Sequence, residues 1–516
     1  MSERLLSLPF DPAGIQLDRR QGLSRQLYQA LRARMLDGRL GGGTRLPASR
    51  DLAALLAISR NSVVRAYDQL YAEGFIEGRV GDGTYVAQLV HQGQPAGKIS
   101  TKVSTGLPTG LPTALSTKTV DSTGVTSSKL IHNSAMQRLQ NHILPSPKSG
   151  PPRAFRVGVP AFDLFPFEVW AKLQAAFWRK PGLQHLGYGD PAGDPRLREL
   201  IAAYLRGSRG LSCTAEQIVI TSGAQQAITL CAQLLLDPGD SVAVENPGYR
   251  AAGNAFAIAG ARVQGVAVDA EGFDCAALQG IERCRLAYVT PSHQYPTGVT
   301  MSLARRLELL AWAQQAQGWI VEDDYDGEYR YSGAPLAPLA ALDNQGRVLY
   351  VGTFGKIAFP ALRLGYLVLP RQLVQVFAQR RALDVRHSEI GTQVVMAEFM
   401  AGGHFQRHIR RMRRAALSRR NALLAGWPVD IPGCGALPVV TAGLHVAVPV
   451  DSFAREAELV AQAESVGVEL NPLSGYWLPD SIEPVDNRAG LVLGFAAVAE
   501  GEIAAAMVRL SKAWGL

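Results

Sequence analysis

Two kinds of hydrophobic pattern alternate along the last two thirds of this chain. Short apolar, β-branched runs occur at residues 218–220, 241–244, 286–289, 319–321 and 348–351. Longer stretches with the period of an amphipathic helix, such as residues 302–315, separate them. This alternation predicts an α/β unit with a mostly parallel sheet covered by helices. Ligands are expected where its strands end at their carboxyl side.

The first 87 residues carry a different pattern. One apolar face recurs at helical spacing in residues 23–35, and a second helical segment spans residues 48–56. Ser59 is placed to cap a third helix, in which Val63, Tyr67 and Leu70 share a face. Two short runs then flank the tight turn at residues 81–83. Three helices and a hairpin predict a winged helix-turn-helix.

The third helix begins with side chains that suit DNA. Arg60, Asn61 and Ser62 open it, and Arg65 lies one turn further on. In this geometry the start of the helix reaches base edges, and Arg and Asn form bidentate pairs with guanine and adenine. Residues 1–87 contain arginines and no lysine. A small helical domain with a solvated basic face is the alternative interpretation of the same spacing.

Residues 88–152 are rich in Ser, Thr, Gly and Pro and show no helical or strand period, which predicts a flexible linker. The chain is therefore expected to contain a DNA-binding domain at 1–87, a linker at 88–152 and an α/β domain at 153–516.

Composition and the spacing of the cysteines indicate the class of protein and its cellular compartment. The 516 residues are 47% hydrophobic and 19% charged, with a net charge of +8, which is ordinary for a globular protein of two or three units. No apolar run approaches the roughly 18 residues of a membrane helix, and the N-terminus lacks a signal pattern. The five cysteines have no paired spacing. We therefore expect a cytoplasmic protein without disulfides or a metal site.

Lys356 and Asp323 each follow a predicted strand. An amine and a carboxylate at strand ends are what pyridoxal 5'-phosphate (PLP) requires, one for a Schiff base and one to face its ring nitrogen. Tyr325 is placed to bond the phenolic oxygen of the ring, and Tyr249 to stack on the ring face. Each residue also has an ordinary alternative: a solvated lysine, a helix-capping aspartate or a core tyrosine.

A phosphate group has its own candidate partners. Gly223, Ala224 and Gln225 follow a strand and open a helix, where free backbone N–H groups suit a dianion. Thr353 and Arg363 offer a hydroxyl and a guanidinium for the same group.

The N-terminal segments 46–53, 59–67 and 70–74 resemble the GntR family of bacterial regulators. The resemblance implies double-stranded DNA as a partner. It also implies DNA contacts at the second helix, the start of the third helix and the wing, which here are Arg50, Ser59, Arg60, Asn61, Ser62, Gly81 and Gly83.

Segments 222–226, 291–298, 322–326, 352–356 and 361–366 resemble fold-type-I PLP-dependent aminotransferases, and specifically the MocR subfamily, in which a GntR-type domain precedes an aminotransferase-like domain. The resemblance implies Lys356 as the Schiff-base lysine, with Asp323, Tyr325 and Tyr249 around the ring. It further implies a homodimer whose two winged domains bind repeated half-sites.

Three positions depart from the aminotransferase pattern. Val492 stands where an arginine usually holds the substrate carboxylate, Ala251 replaces an arginine of some amino-acid-sensing members, and Gly355 replaces a frequent serine. A carboxylate would lose its bidentate partner, unless another residue such as Arg386 replaces it. At most residual transaminase activity is expected.

These departures favour a regulator that senses PLP itself, as in the PdxR-like branch that controls vitamin B6 supply. The alternatives are a regulator that senses an amino acid or amine, such as 4-aminobutyrate or taurine, and a true aminotransferase.

Overall fold

The computed structural model describes residues 15, 17–18, 22–36, 38–72, 75–79, 82–87, 134–142, 150–331, 337–478 and 488–516. The chain divides into two compact units, Met1–Val125 and Thr126–Leu516. No helix within the described ranges is long and apolar enough to cross a membrane. All five cysteines carry free thiols.

The first unit has the predicted winged helix-turn-helix. Its elements are α1 (Leu23–Leu36), β1 (Arg45–Leu46), α2 (Ser49–Leu55), α3 (Arg60–Ala72), β2 (Ile76–Arg79) and β3 (Gly83–Val86). The strands form an antiparallel sheet in the order β1-β3-β2. The β2–β3 hairpin is the wing, and it occupies the position that the sequence predicts.

Local contacts fix the third helix of this unit. The side chain of Ser59 accepts a hydrogen bond from the backbone N–H of Ser62 at 3.2 Å, which satisfies a free donor at the start of α3. The hydroxyl of Tyr67 donates to the carbonyl of Pro47 at 2.9 Å and ties α3 to the segment before α2. Leu31 and Leu70 are fully buried in the shared core.

One part of the predicted linker is helical. Residues Ser134–Asn141 form α4, and the Arg138 Nε atom donates to the carbonyl of Ile258 at 3.0 Å in the second unit. The prediction of a linker without helical structure across residues 88–152 is therefore too broad. Met136 and Leu139 lie three residues apart, a short helical stripe that the Ser, Thr and Gly content of the segment obscures. Residues 88–133 and 143–149 lie outside the described ranges.

The second unit is built on an eight-stranded, mostly parallel sheet, as predicted. Its strands, in chain order, are β4 (Ile218–Thr221), β5 (Ser241–Asn246), β6 (Arg262–Asp269), β7 (Gly272–Phe273), β8 (Cys284–Val289), β9 (Trp319–Asp323), β10 (Val348–Thr353) and β11 (Gly365–Val368). Their spatial order is β4-β11-β10-β9-β8-β5-β6-β7. All five apolar runs identified in the sequence are strands of this sheet.

The direction of the strands brings five chain turns together. Strands β10, β9, β8, β5 and β6 run parallel, whereas β11 is antiparallel to both β10 and β4. Strand β4 therefore points the same way as β10. The carboxyl ends of β4, β5, β8, β9 and β10 all meet at one edge of the sheet, which is where the sequence places the candidate residues.

Helices cover this sheet and a smaller one. They are α5 (Phe167–Arg179), α6 (Pro195–Arg209), α7 (Ala224–Leu235), α8 (Arg250–Ile258), α9 (Leu303–Gln315), α10 (Leu339–Leu342), α11 (Arg371–Val385), α12 (Ile390–Ala401), α13 (His404–Gly426), α14 (Phe453–Ser465) and α15 (Glu500–Ala513). The smaller antiparallel sheet consists of β12 (His445–Pro449), β13 (Asn471–Pro472) and β14 (Gly490–Gly494), with β14 in the middle. Its apolar face packs on α14 and α15.

A buried ion pair supports the chain just after β9. The Arg209 guanidinium contacts the Asp324 carboxylate, and their side chains are 5% and 2% exposed. Tyr350 donates to the same carboxylate at 2.6 Å, and Arg209 also donates to the carbonyl of Gly327 at 3.0 Å. These contacts hold the segment that follows Asp323.

Asp324→Asn should lower the free energy of unfolding by about 3–5 kcal/mol, because it leaves the Arg209 charge buried without its partner. Asp384→Asn, which breaks the partly exposed pair with Arg380 on α11, should change it by less than about 1 kcal/mol. Denaturant unfolding of the full chain measures both. Equal losses in the two variants would contradict a supporting role for the buried pair.

Candidate functional site

All nine residues that the sequence selects for a cofactor line one cavity of about 180 Å³. The cavity lies at the carboxyl edge of the large sheet. Its predicted lining residues are Gly223, Ala224, Gln225, Tyr249, Asp323, Tyr325, Thr353, Lys356 and Arg363.

Lys356 lies half-buried on the loop after β10, and its side chain lines the cavity. Its Nζ atom donates to the carbonyl of Gly158 at 2.8 Å. Gly158 has a φ of +79°, and a Cβ there would lie 3.0 Å from Nζ, so glycine permits this approach. Burial lowers the pKa of the lysine, while Asp326 and Asp323 oppose that shift. A larger neutral fraction makes the amine a better nucleophile.

Asp323 ends β9 with a carboxylate that is only half satisfied. Its Oδ2 atom accepts from the hydroxyl of Tyr288 at 2.7 Å, whereas the buried Oδ1 atom has no hydrogen-bond partner among the described residues. Burial raises the pKa of this carboxyl to about 7, against the smaller opposing effects of Tyr288 and Lys356. A buried acceptor without a donor is costly, so the carboxylate is suited to receive a hydrogen bond from a ligand.

The hydroxyl of Tyr325 is engaged with His293. It donates to the His293 carbonyl at 2.9 Å and lies 3.1 Å from Nδ1 of the same residue, which in turn lies 3.0 Å from the Asp326 carboxylate. Tyr325 thus lines the cavity but presents its hydroxyl as an acceptor. The sequence expects it to bond a phenolic oxygen, and in this arrangement its proton is committed elsewhere.

Buried His445 extends this cluster. Its ring lies 4.6 Å from the His293 ring, and its Nε2 atom has no hydrogen-bond partner. His293, Asp326 and His445 bring metal-ligating atoms within 4.8 Å of one another. The contact between His293 and Asp326 already satisfies this pair without an ion, and burial lowers the pKa of His445 with help from the nearby His293 and Lys356.

The other end of the cavity is suited to an anion. Gly223 precedes α7 with a φ of +89°, and the N–H groups of the first turn of a helix have no intrahelical partner. The Arg363 guanidinium donates to the carbonyl of Ser222 at 2.6 Å and would lie 3.3 Å from a Cβ at position 223. Thr353 Oγ1 accepts from the Gly355 N–H at 3.1 Å.

Tyr249 and Gln225 form a further wall. The Tyr249 hydroxyl donates to Gln225 Oε1 at 3.2 Å, and the Gln225 amide nitrogen donates to the carbonyl of Ala251 at 3.1 Å. Tyr249 meets Tyr295 edge to face, with centroids 5.9 Å apart.

Sequence reasoning missed several residues of the site. Tyr288, Thr290 and Tyr295 line the cavity, and Gly158 holds the lysine amine. A tyrosine and a threonine at the carboxyl end of β8, next to the strand of Asp323, were a usable signal. Gly158 had none, because 198 residues separate it from Lys356.

Of the three departures from the aminotransferase pattern, Gly355 alone lines the cavity. Val492 is fully buried in the middle of β14, opposite Ala447 and Asn471, and does not line the cavity. Ala251 is buried in the first turn of α8. Arg386, named as a replacement for the missing arginine, is exposed beyond α11 and does not line the cavity.

In the first unit the predicted DNA-contacting side chains occupy the expected elements. Arg50 is exposed at the start of α2, and Ser59, Arg60, Asn61 and Arg65 are exposed at or near the start of α3, where Ser62 is half-buried. Gly83 opens β3 at the wing. Gly81 lies outside the described residues, and contact of any of these residues with DNA stays a prediction.

These two units define a class of protein: a helix-turn-helix regulator joined to a domain with the aminotransferase fold. Residues 23–86 match the family model of the gntR-type bacterial regulatory proteins, and residues 155–431 match that of class I and II aminotransferases.

Relatives of the whole chain share both parts. The chain is 35% identical to a protein of Rhizobium meliloti described as the probable rhizopine catabolism regulatory protein MocR, over 92% of this chain and 90% of the relative. It is 30% identical to the pyridoxine biosynthesis regulator PdxR of Corynebacterium glutamicum, over 95% and 96%. A kynurenine aminotransferase of Pyrococcus horikoshii aligns with a TM-score of 0.63 and 28% identity, covering 75% of this chain and 95% of the enzyme. The chain therefore belongs to the MocR-type regulators of the GntR family.

The pKa of Asp323 gives a testable pH dependence. Because burial raises it from 3.8 to about 7, the folded protein keeps a proton that the unfolded chain releases, so stability falls as pH rises between these values. Asp323→Asn removes this dependence. In protein without added PLP, the variant should gain on the order of 2–3 kcal/mol relative to the parent between about pH 5 and pH 8. Denaturant titrations measure the difference, and a constant difference at both pH values would contradict the assignment.

Proposed function

We propose that this chain is a DNA-binding transcription regulator whose second unit binds PLP at Lys356, and that PLP is the signal it senses. The observation that carries the proposal is the single cavity in which a half-buried amine, a half-satisfied carboxylate and the start of a helix meet. Each matches one functional group of PLP: its aldehyde, its ring nitrogen and its phosphate.

The residues present fit PLP on independent grounds. The Oδ1 atom of Asp323 lacks a donor, which a protonated ring nitrogen would supply. The N-terminus of α7 and Arg363 offer donors to a dianion. Gly223 keeps the space between them free of a side chain.

Bound PLP supplies an electrophilic carbon for a primary amine and an electron-withdrawing ring. The Lys356 amine, whose pKa burial lowers, would be the group that holds PLP covalently. Tyr288 orients the Asp323 carboxylate, which would face the ring nitrogen and favour its protonated form. Tyr249 would cover one face of the PLP ring. The hydrogen bond from its hydroxyl to Gln225 holds the tyrosine side chain in place.

Two observations support PLP as the signal. Among the described residues that line the cavity, the cations are Lys356 and Arg363, and both are assigned to PLP itself. Neither Val492 nor Ala251 offers a charge to a substrate carboxylate. The relative PdxR is described as a pyridoxine biosynthesis regulator.

A second candidate is a regulator whose effector is an amine or amino acid that reacts with bound PLP. It is favoured by the higher identity, 35%, to the relative described as a regulator of rhizopine catabolism. Rapid turnover of amino acids by the purified protein would instead favour a true aminotransferase.

The first unit would bind operator DNA through α3 and the wing, with the protein acting as a cytoplasmic homodimer on repeated half-sites. Large apolar side chains on the second unit support self-association: Leu183, Tyr188 and Leu383 are 85%, 89% and 83% exposed. Tyr188 lies against His387, so the segment that contains Leu183 and Tyr188 lies beside the segment that contains Leu383. Exposed apolar groups of this kind mark interaction surfaces.

Lys356→Ala should remove the visible absorbance that develops when the protein is mixed with PLP, because the only proposed attachment point is lost. Lys172→Ala, on the exposed surface of α5, is the matched control and should keep the full absorbance. Titration of each purified variant with PLP measures the effect. An unchanged spectrum in Lys356→Ala would show that another lysine is the attachment point.

Arg60→Ala should weaken binding to the operator by about 1–3 kcal/mol while leaving non-specific binding nearly unchanged, because a base-edge contact carries sequence information. Arg25→Ala on α1 is the matched control. Fluorescence titrations at one salt concentration measure both affinities. Equal losses on operator and random duplex would show that Arg60 contacts phosphates alone.

A further inference from the structure

Helix α4, the part of the chain between the two predicted domains that the structure describes, lies along α8. Arg138 Nε donates to the carbonyl of Ile258 at 3.0 Å near the end of α8. Asn254 Nδ2 donates to the carbonyl of His142 at 2.9 Å in the middle of the same helix. The end of α4 at His142 therefore lies toward the start of α8, and the start of α8 follows Tyr249 at the cofactor cavity.

Residues of α4, α7 and α8 together line a second cavity. It measures about 570 Å³ and is lined by Leu139 and His142 on one side and by Asn254 and Ala255 on the other. Gln225 lines this cavity and the cofactor cavity as well. One side chain thus forms part of the wall between the proposed PLP site and the region where α4 docks.

Gln225 is also hydrogen-bonded to one residue of each cavity, because Tyr249 lines the cofactor cavity and Ala251 lines the second one. It accepts from the Tyr249 hydroxyl at 3.2 Å and donates to the Ala251 carbonyl at 3.1 Å. It belongs to the first turn of α7, whereas Ala251 belongs to the first turn of α8. Tyr249 is therefore connected through Gln225 to the start of α7 and to the start of α8, the helix that α4 contacts.

Helix α4 is short and largely exposed. It has eight residues and none is buried; Met136 and Leu139 remain 46% and 54% exposed. An isolated helix shorter than about 12–15 residues is marginal in water. The hydrogen bonds with Asn254 and Ile258 therefore help to stabilise its helical structure.

We propose that the surface formed by Gln225, Ala251, Asn254 and Ile258 is an interaction surface for α4, and that a ligand held against Tyr249 strengthens the docking of α4 through Gln225. The inference rests on the proposed binding of PLP at Lys356. The winged domain precedes α4 in the chain, so α4 lies on the covalent path between the two predicted domains. The ligand can shift the equilibrium between docked and undocked α4 only by its differential affinity for the two states, and docking of α4 must tighten ligand binding equally.

Hydrogen exchange of the backbone amides of residues 134–142 in the full-length protein tests this, with and without PLP, while visible absorbance reports occupancy in the same samples. Exchange should slow by about fivefold or more when PLP is bound, the lower end of ordinary coupling. Asn254→Ala removes the contact to His142, so its α4 should exchange fast in both conditions while its absorbance on adding PLP persists. Gln314→Ala, an amide on the exposed surface of α9, should behave like the parent.

The outcomes are distinguishable. Full absorbance with unchanged exchange at residues 134–142 would overturn the inference and leave the proposed binding of PLP intact. Absence of absorbance on adding PLP would overturn the proposed function and the inference together. Slowed exchange that persists fully in Asn254→Ala would show that the protection does not arise at this surface.

Discussion

The burial of an amine and a carboxylate at the ends of two adjacent parallel strands is the constraint on which the second unit depends. Strands β9 and β10 pair in parallel, with Asp323 opposite Val351, and Lys356 follows five residues later. Burying ionisable groups is costly unless they are paired. Here the cost is only partly offset, because the pKa of Asp323 is raised and that of Lys356 is lowered. A site left in this condition is arranged for a ligand that carries the complementary groups.

Contacts around the cavity fix the positions of the chain segments that form it. The Arg209–Asp324 pair and Tyr350 anchor the chain directly after Asp323. Glu245, buried at the end of β5, accepts from the N–H and hydroxyl of Thr290 at 3.0 and 2.6 Å and so fixes the loop after β8. The contacts of the cavity thus come from residues far apart in sequence, and its shape is set by the sheet rather than by any one loop.

Sequence alone predicted the winged domain, the mostly parallel sheet and nine of the residues that line the cavity, because strand periodicity places their turns at one edge. It did not predict Gly158, whose carbonyl is brought to Lys356 by tertiary folding alone. Nor did it predict the engagement of Tyr325 with His293, which depends on a side-chain direction that no spacing encodes. The contact of α4 with α8 was missed because the polar composition of α4 resembles that of a linker, and the two hydrogen bonds join residues 120 and 112 positions apart in the chain.

The proposed function requires that occupancy at Lys356 controls DNA binding by the winged domain. The most direct measurement is the affinity of the full-length protein for its own upstream region, with and without PLP, at one salt concentration. A change of at least fivefold on adding PLP, absent in Lys356→Ala, is the predicted result. Equal affinity with and without PLP in the parent protein, with the cofactor shown spectroscopically to be bound, would contradict the account.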